Sequence, residues 1–417
     1  MPPATMLKCN NGHCEKRQYW SLRPRTGIKS SYQEALELIR LEIAESVKIR
    51  LRSDLPVGVL LSGGIDSSVV AYEAAQAMGG NVQTFTISNK EKTLDESLVA
   101  GQTAAFLGIR NETLEIDVSA IDLLEKVVSQ FDQPFADSSA IPCFAISRLA
   151  RRHVTVVLNG DGGDEIFAGY RRYVAGYYLK HIPLFLDNRI MGDCVAWLAG
   201  KVPRRSIPGL LFRNLRGCGR TNGLRYLIWT TDMLFEEDKK SLWIGKNIQR
   251  STETFIEDTT NSGLSGLTWQ MDADIKINLC SDLLVKMDMT TMASSLEARS
   301  PLLDHRLGEL AASLPENFLI KNGRLKACLR DAYKEHLPRE IIKCKKRGFE
   351  VPLDRWLKED WKSIINDVVL NADAELRSFI DARDIQDIFL DKVFPDRNLA
   401  YVKYALLVLE LWLRQRR

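Results

Sequence analysis

The sequence predicts a doubly wound α/β protein with a mostly parallel sheet, joined to a large helical C-terminal part. Short apolar runs alternate with helical patterns between about residues 50 and 175, and a Gly-Ser loop follows the first run. From Gly169 onward strand-like runs disappear and apolar residues recur at helical intervals.

Met1 to Ser30 is rich in Pro, Asn, Gly and Lys, lacks periodicity, and reads as linker or edge structure. Cys9, His13 and Cys14 lie close together there, but a four-ligand zinc site needs a second pair nearby, and none follows. Ser31 opens a helix, because Tyr32, Ala35, Leu36, Ile39, Ile43 and Val47 recur at helical spacing. Past Pro56 the run Val57 to Leu61 has the continuous apolar character of a buried parallel strand. It ends in Ser62-Gly63-Gly64-Ile65-Asp66-Ser67-Ser68, and a helix continues through Val69, Val70, Ala74 and Ala77. A second strand is expected over Val82–Ser88, a helix over Asp95–Leu107, a third strand over Glu112–Val118, and a fourth over Val154–Leu158. The α/β core is therefore placed at about 50–175 and the helical part at about 176–417, with breaks near Pro183, Pro203, Pro208 and Gly263.

Composition narrows the function. The 57 basic and 54 acidic residues among 417 nearly balance, which supplies no nucleic-acid footprint. The 8 cysteines are scattered and read as a reduced, intracellular set. The start has no signal-peptide layout, and the longest membrane candidate, Tyr401 to Leu413, is interrupted by Lys403 and Glu410. A soluble, cytoplasmic protein without membrane contact is expected.

Two stretches carry chemistry. Ser62 to Ser68 joins a buried strand to a helix, where backbone N–H groups and the helix dipole favour an anion. Gly63 and Gly64 permit close approach of phosphate, and Ser62, Ser67 and Ser68 add hydroxyls. The loop lacks the Gly-Lys-Ser/Thr ending of kinase-like phosphate loops. The second stretch, Leu158 to Tyr173, concentrates Asp161, Asp164 and Glu165 among glycines at a strand end. Acids beside a triphosphate need a divalent cation between them, so the pattern points to Mg²⁺ with one carboxylate left to act as a base.

SGGIDSS after VGVLL resembles the pyrophosphate-binding motif of the N-type ATP pyrophosphatases, whose members cleave ATP to AMP and pyrophosphate. Asn159-Gly-Asp-Gly-Gly-Asp-Glu165 is similar to the second hallmark of the asparagine synthetase family within that superfamily. Asp132 to Pro142 resembles the family's substrate-loop region, Asp282 to Asp304 the helix and turn that close over the site, and Leu325 to Arg330 with Lys345 to Pro352 the lysine-bearing C-terminal segment. The likeness runs from about Pro2 to Arg414.

This resemblance implies an adenine nucleotide α-hydrolase-like fold and an ATP- and Mg²⁺-dependent ligase that activates aspartate, or another carboxylic acid, and aminates it with ammonia. Asp161, Lys346 and Lys326 are the implied catalytic residues. Leu60, Ser62, Gly63, Gly64, Asp66, Ser67, Ser68, Ile87, Asn159 and Gly160 would bind ATP and pyrophosphate. Asp66 and Asp164 would hold the metal, and Asp137, Ser138, Glu165, Arg299 and Asp304 would face the substrate. For Arg299 an ordinary ion pair with Glu297 or Asp304 weighs equally.

Three positions depart from the pattern. Asp161 stands where many relatives carry Glu, Asn111 where His is common, and Cys344 where an Arg often precedes the catalytic lysine. Residues 1–30 resemble the connector between the family's two halves, and the domain that releases ammonia from glutamine is expected to be a separate or removed part, as domain or subunit. A homodimer is compatible with the resemblance. The rivals are the same chemistry on a β-lactam, lasso-peptide or sugar-acid substrate, and a catalytically silent nucleotide-binding scaffold. A tRNA-modifying enzyme would want a basic surface that this charge balance does not provide.

Overall fold

The computed structural model describes residues 1–22, 30–89, 95–116, 121–179, 188–199, 215–231, 233–245, 251–260, 263–344, 351–395 and 397–416. The chain opens with an antiparallel hairpin, β1 (Thr5–Asn10) and β2 (His13–Gln18). Its two-residue turn, Asn11-Gly12, has positive φ at both positions, the geometry that matches strand twist. Cys9 and Cys14 face each other across the ladder and are joined as a disulfide, so the expectation of an all-reduced set is corrected for this pair. The register puts them there: directly opposed residues bring their side chains together.

Helix α1 (Tyr32–Arg50) starts where the sequence signals it. The Ser31 hydroxyl accepts the Glu34 N–H and the Glu34 carboxylate accepts the Ser31 N–H, a reciprocal cap. Ala35, Leu36, Ile39, Ile43 and Val47 are buried as one stripe. Then follow β3 (Val57–Leu60), α2 (Ile65–Ala77), β4 (Gln83–Asn89), α3 (Ser97–Leu107) and β5 (Arg110–Ile116). After these come α4 (Ile121–Gln130), α5 (Ala140–Ala150), β6 (Val156–Leu158), the short α6 (Gly163–Ile166) and, much later, β7 (Glu297–Arg299).

The five strands form one parallel sheet in the order β5-β4-β3-β6-β7. The doubly wound core is therefore as expected. Side chains alternate across it: Val57, Val59, Val156 and Leu158 pack with α1 and α2, while Leu60, Phe85, Ile87 and Val157 pack with α5. β7 corrects the expectation that strands end at Gly169. Three residues, Glu-Ala-Arg, carry no apolar run; they become a strand because the chain returns beside β6. The helical remainder includes a π-helical stretch, Asp274–Leu283, that runs directly into the helix Leu284–Met292. No described helix is long and apolar enough to cross a membrane.

Strand order reverses between β3 and β6, so the loops leaving their carboxyl ends diverge and open a crevice. The two loops touch at Gly160, where a Cβ would stand 2.7 Å from the Ser67 nitrogen and 3.0 Å from Asp66 Cβ. Backbone cannot yield as a side chain can. Gly160→Ala should lower stability by about 1–3 kcal/mol, read as a shift in urea midpoint; an unchanged midpoint would show that the loops do not abut.

Candidate active site

The crevice holds a cavity of about 500 Å³. On one side lies the loop between β3 and α2. The Ser62 and Ser67 hydroxyls are 2.9 Å apart, the Ser67 hydroxyl accepts the Ser62 N–H at 3.1 Å, and the Ser62 hydroxyl accepts the Gly64 N–H at 3.2 Å. No side chain caps the N-terminus of α2, whose N-cap is Gly64, so its first turn is left to an anion. Gly63 packs instead against Glu96, and the buried Ser68 turns its hydroxyl back to the Gly64 carbonyl at 2.8 Å. Those two shape the loop without lining the cavity. Leu60 and Ile87, neighbours on β3 and β4, give the cavity an apolar wall with Ile146 of α5.

Facing this loop is the acidic turn after β6. Asn159, only 2 % exposed, donates from its amide to Asp161 Oδ2 at 2.9 Å and accepts the Asp161 N–H at 3.2 Å. The Asp161 carboxylate is thus held on the cavity side. Lys326 ties the two halves together. Its ammonium donates to Asp66 Oδ2 and lies 2.7 Å from Asp164 Oδ1. The Lys326 backbone is left-handed, with φ of 52°, an uncommon conformation for a side chain that size and one tolerated where function needs it. A Cβ at Gly169 would stand 1.9 Å from Asp164 Oδ1 and 2.1 Å from Lys326 Cε, so the pair nests against bare backbone. Glu165, buried, accepts the Tyr170 hydroxyl at 2.5 Å; the Arg172 guanidinium lies 3.8 Å from that ring's centroid and is anchored on Asp274.

The donor set suits a divalent cation. Asp66 and Asp164 converge on one ammonium, so their oxygens already define a point of positive charge. Among the described residues no three or more His, Cys, Asp or Glu side chains gather as a cage. Two carboxylates, completed by phosphate oxygens and water, fit Mg²⁺.

Two expected substrate residues lie elsewhere. Arg299 donates to the carbonyls of Arg50 and Arg52 at 2.7 and 2.9 Å and to Glu297, which fastens β7 to the end of α1. Asp304 caps the helix His305–Ser313 and binds Arg50 at 3.0 Å. Both are structural ties, and neither lines the cavity. Lys346 lies outside the described residues.

The sequence reading missed the far wall. Asp137 and Ser138 line the cavity as expected, but they come with Ser139 and Lys286, whose ammonium donates to Asp137 Oδ2 and Ser139 Oγ, both at 2.7 Å. A lone lysine among Leu283, Leu284, Val285 and Met287 was the available signal. Burial works against the Asp137 charge, but Lys286 and Ser139 hold its carboxyl below the usual range. Asp282, one turn before Lys286, is pushed up to about 7, first by burial and then by the Asp137 charge. Burial pushes the thiol of Cys143, another cavity-lining residue, up to about 12.

A Gly-Ser loop and an acidic turn thus meet at the switch point of a doubly wound sheet, the place where such folds bind their ligands. A family model described as asparagine synthase matches residues 38–414. The chain belongs to the asparagine synthase family. It is 32% identical over 398 residues to the glutamine-hydrolysing asparagine synthetase 1 of Bacillus subtilis, covering 92% of this chain and 60% of that protein. It is 25% identical over 443 residues to an amidase of Penicillium rubens, covering 95% of this chain and 65% of the amidase. The chain thus spans less than two thirds of either relative.

Asp282 gives stability a pH dependence of known sign. Unfolded, an aspartate ionises near pH 4; folded, Asp282 keeps its proton to about 7. Between these values the folded state binds the extra proton, so this contribution declines as pH rises and is gone above about 7. Melting temperature should therefore fall between pH 5 and 8 more in wild type than in Asp282→Asn. Parallel curves for the two proteins would contradict this.

Proposed function

We propose that the protein is an ATP-dependent amide-forming ligase. It activates the side-chain carboxylate of aspartate as an acyl-adenylate, releases pyrophosphate, and aminates the activated acid with ammonia to give asparagine and AMP. The observation that carries this reading is the convergence of Asp66 and Asp164 on one point of positive charge beside the Ser62–Ser67 loop. A site for a terminal phosphoryl transfer would want a lysine at the end of that loop, which is Ser67-Ser68 here.

Each group has a task in this reading. The loop hydroxyls and the first-turn N–H groups of α2 hold the leaving pyrophosphate, and Leu60 with Ile87 packs against the adenosine. Asp66 and Asp164 would hold Mg²⁺, which would supply counter-charge to phosphate oxygens. Lys326, already buried at the junction, neutralises charge that builds on the leaving group, and Lys346 is proposed to share that work. Asp161, fixed by Asn159, takes the proton the incoming nitrogen must lose. Ammonia would come from a glutaminase domain or subunit, in keeping with the glutamine-hydrolysing Bacillus relative, and a cytoplasmic setting goes with it. The amidase relative favours a second reading, the same chemistry on another carboxylic acid.

With aspartate, ammonium and Mg-ATP the protein should form AMP and pyrophosphate; stoichiometric ADP and orthophosphate would sink the ligase reading. The two stages separate by mutation. Asp161→Asn should lose amide formation while keeping exchange of pyrophosphate into ATP, because the nitrogen's proton leaves only after adenylation. Lys326→Met should lose both, by roughly a hundredfold to a thousandfold. Equal loss of both activities in Asp161→Asn, recovered at raised Mg²⁺, would make Asp161 a metal ligand instead of a base.

A further inference from the structure

Two of the helices that wall the catalytic crevice leave it together and end together. α5 lines the crevice with Pro142 and Cys143 near its start, and the helix Leu284–Met292 does so with Lys286 and Met287. The two pack against each other and are tied at the crevice by the Lys286 bonds to Asp137 and Ser139. Their far ends border a second cavity, of about 320 Å³, lined by Phe144, Arg148, Arg151, Arg152, Ala293 and Ser294. No acidic side chain is among these lining residues.

We propose that this second cavity binds a small phosphoryl-type dianion, and that the bound anion clamps the far ends of the two helices. The site stands apart from the ligase reading, since none of its residues lines the crevice.

Uncompensated charge gives the first argument. Three guanidinium groups come from one turn at the end of α5, and among the described residues none of them makes an ion pair or a side-chain hydrogen bond. Glu112 pairs with the neighbouring His153 ring at 3.0 Å instead. Arginines at a helix C-terminus commonly cover its last carbonyls. Here backbone has taken them: the Ser147 carbonyl accepts the Arg151 N–H and the Leu149 carbonyl the Arg152 N–H, both at 3.0 Å, and the Ala150 carbonyl the Val154 N–H at 2.9 Å. The guanidinium donors are therefore left to a ligand.

The facing helix end gives the second. Ser294 has a buried hydroxyl with no hydrogen-bond partner among the described residues. Buried hydroxyls are nearly always paired, and this one belongs to the same lining as the three arginines. A bound oxyanion would supply its acceptor. Such an anion, held by α5 on one side and by Ser294 on the other, bridges the two helices at the end opposite the Lys286 tie.

The ligand class follows from the donors. A guanidinium is a planar fork that matches two oxygens of a phosphate. Three of them favour more than one negative charge, which a single carboxylate lacks. The volume is at the small end for ligand cavities. Inorganic phosphate, pyrophosphate and the phosphate of AMP share this chemistry.

The test is calorimetric titration of the full chain with inorganic phosphate, the crevice being filled with Mg²⁺ and α,β-methylene-ATP. Wild type should still bind phosphate, with an affinity that falls as salt rises, because the three arginines are exposed. Arg151→Gln should weaken binding roughly tenfold, the effect of losing a hydrogen bond to a charged group. The triple variant, with Arg148→Gln and Arg152→Gln added, should abolish it. Exposed positions tolerate these changes, and circular dichroism checks that the variants fold. Undiminished binding in the triple variant, or no binding by wild type, would overturn the site. Replacing all three arginines by lysine keeps the charge and removes the fork; binding equal to wild type would reduce the cavity to a charged patch and overturn the site as well. Titrations with pyrophosphate and AMP identify the source of the phosphoryl group by which ligand binds most tightly. Hydrogen exchange reads the clamp. Phosphate should slow exchange over 147–152 and 289–296 in wild type and not in the triple glutamine variant, and unchanged exchange in wild type overturns the clamp. Failure of methylene-ATP to bind would count against the ligase reading and leave the arginine comparison intact.

Discussion

The contact among Asp66, Lys326 and Asp164 is the constraint on which the rest of the site depends. It joins the start of α2, the turn after β6 and the C-terminal segment, which are far apart in sequence. A buried lysine between two carboxylates is stable only if all three stay in register, because an unpaired charge in such a place is strongly unfavourable. Several local features follow. Gly160 and Gly169 leave room for the approach of the loops and of the lysine stem. Lys326 accepts a left-handed backbone, and Arg330 anchors the segment behind it through the carbonyls of Leu325 and Ile342.

Much of this was legible because local signals agreed with the fold. Ser31 and the helical spacing after it marked a helix start, the Val57 run a central strand, and the Gly-Ser loop the turn into the next helix. What escaped was structure that tertiary position creates. β7 is three residues that mean nothing until β6 lies beside them. The hairpin had its Asn-Gly turn in plain sight, but both faces are exposed, so no apolar alternation advertised the strands. The family resemblance set Arg299 and Asp304 toward the substrate, with an ion pair of Arg299 to Glu297 weighing equally, and that pair is what forms. Backbone carbonyls and a helix N-terminus had the prior claim on them. Lys286 escaped for the opposite reason, since a single lysine in an apolar helix usually snorkels to water.

The cavity divides its labour by charge. Toward the β3 loop it presents the Ser62 and Ser67 hydroxyls and the Asp66–Lys326–Asp164 contact; toward α5 it presents the Lys286–Asp137 pair. Asp161 lines the same cavity and is held by Asn159.

The central claim is that the acid's own carboxylate becomes bonded to the α-phosphorus before nitrogen arrives. Aspartate labelled with ¹⁸O in its side-chain carboxylate tests it directly by mass spectrometry of the products. The account requires one labelled oxygen in AMP and none in pyrophosphate. Label in orthophosphate, or AMP formed without label, would contradict it.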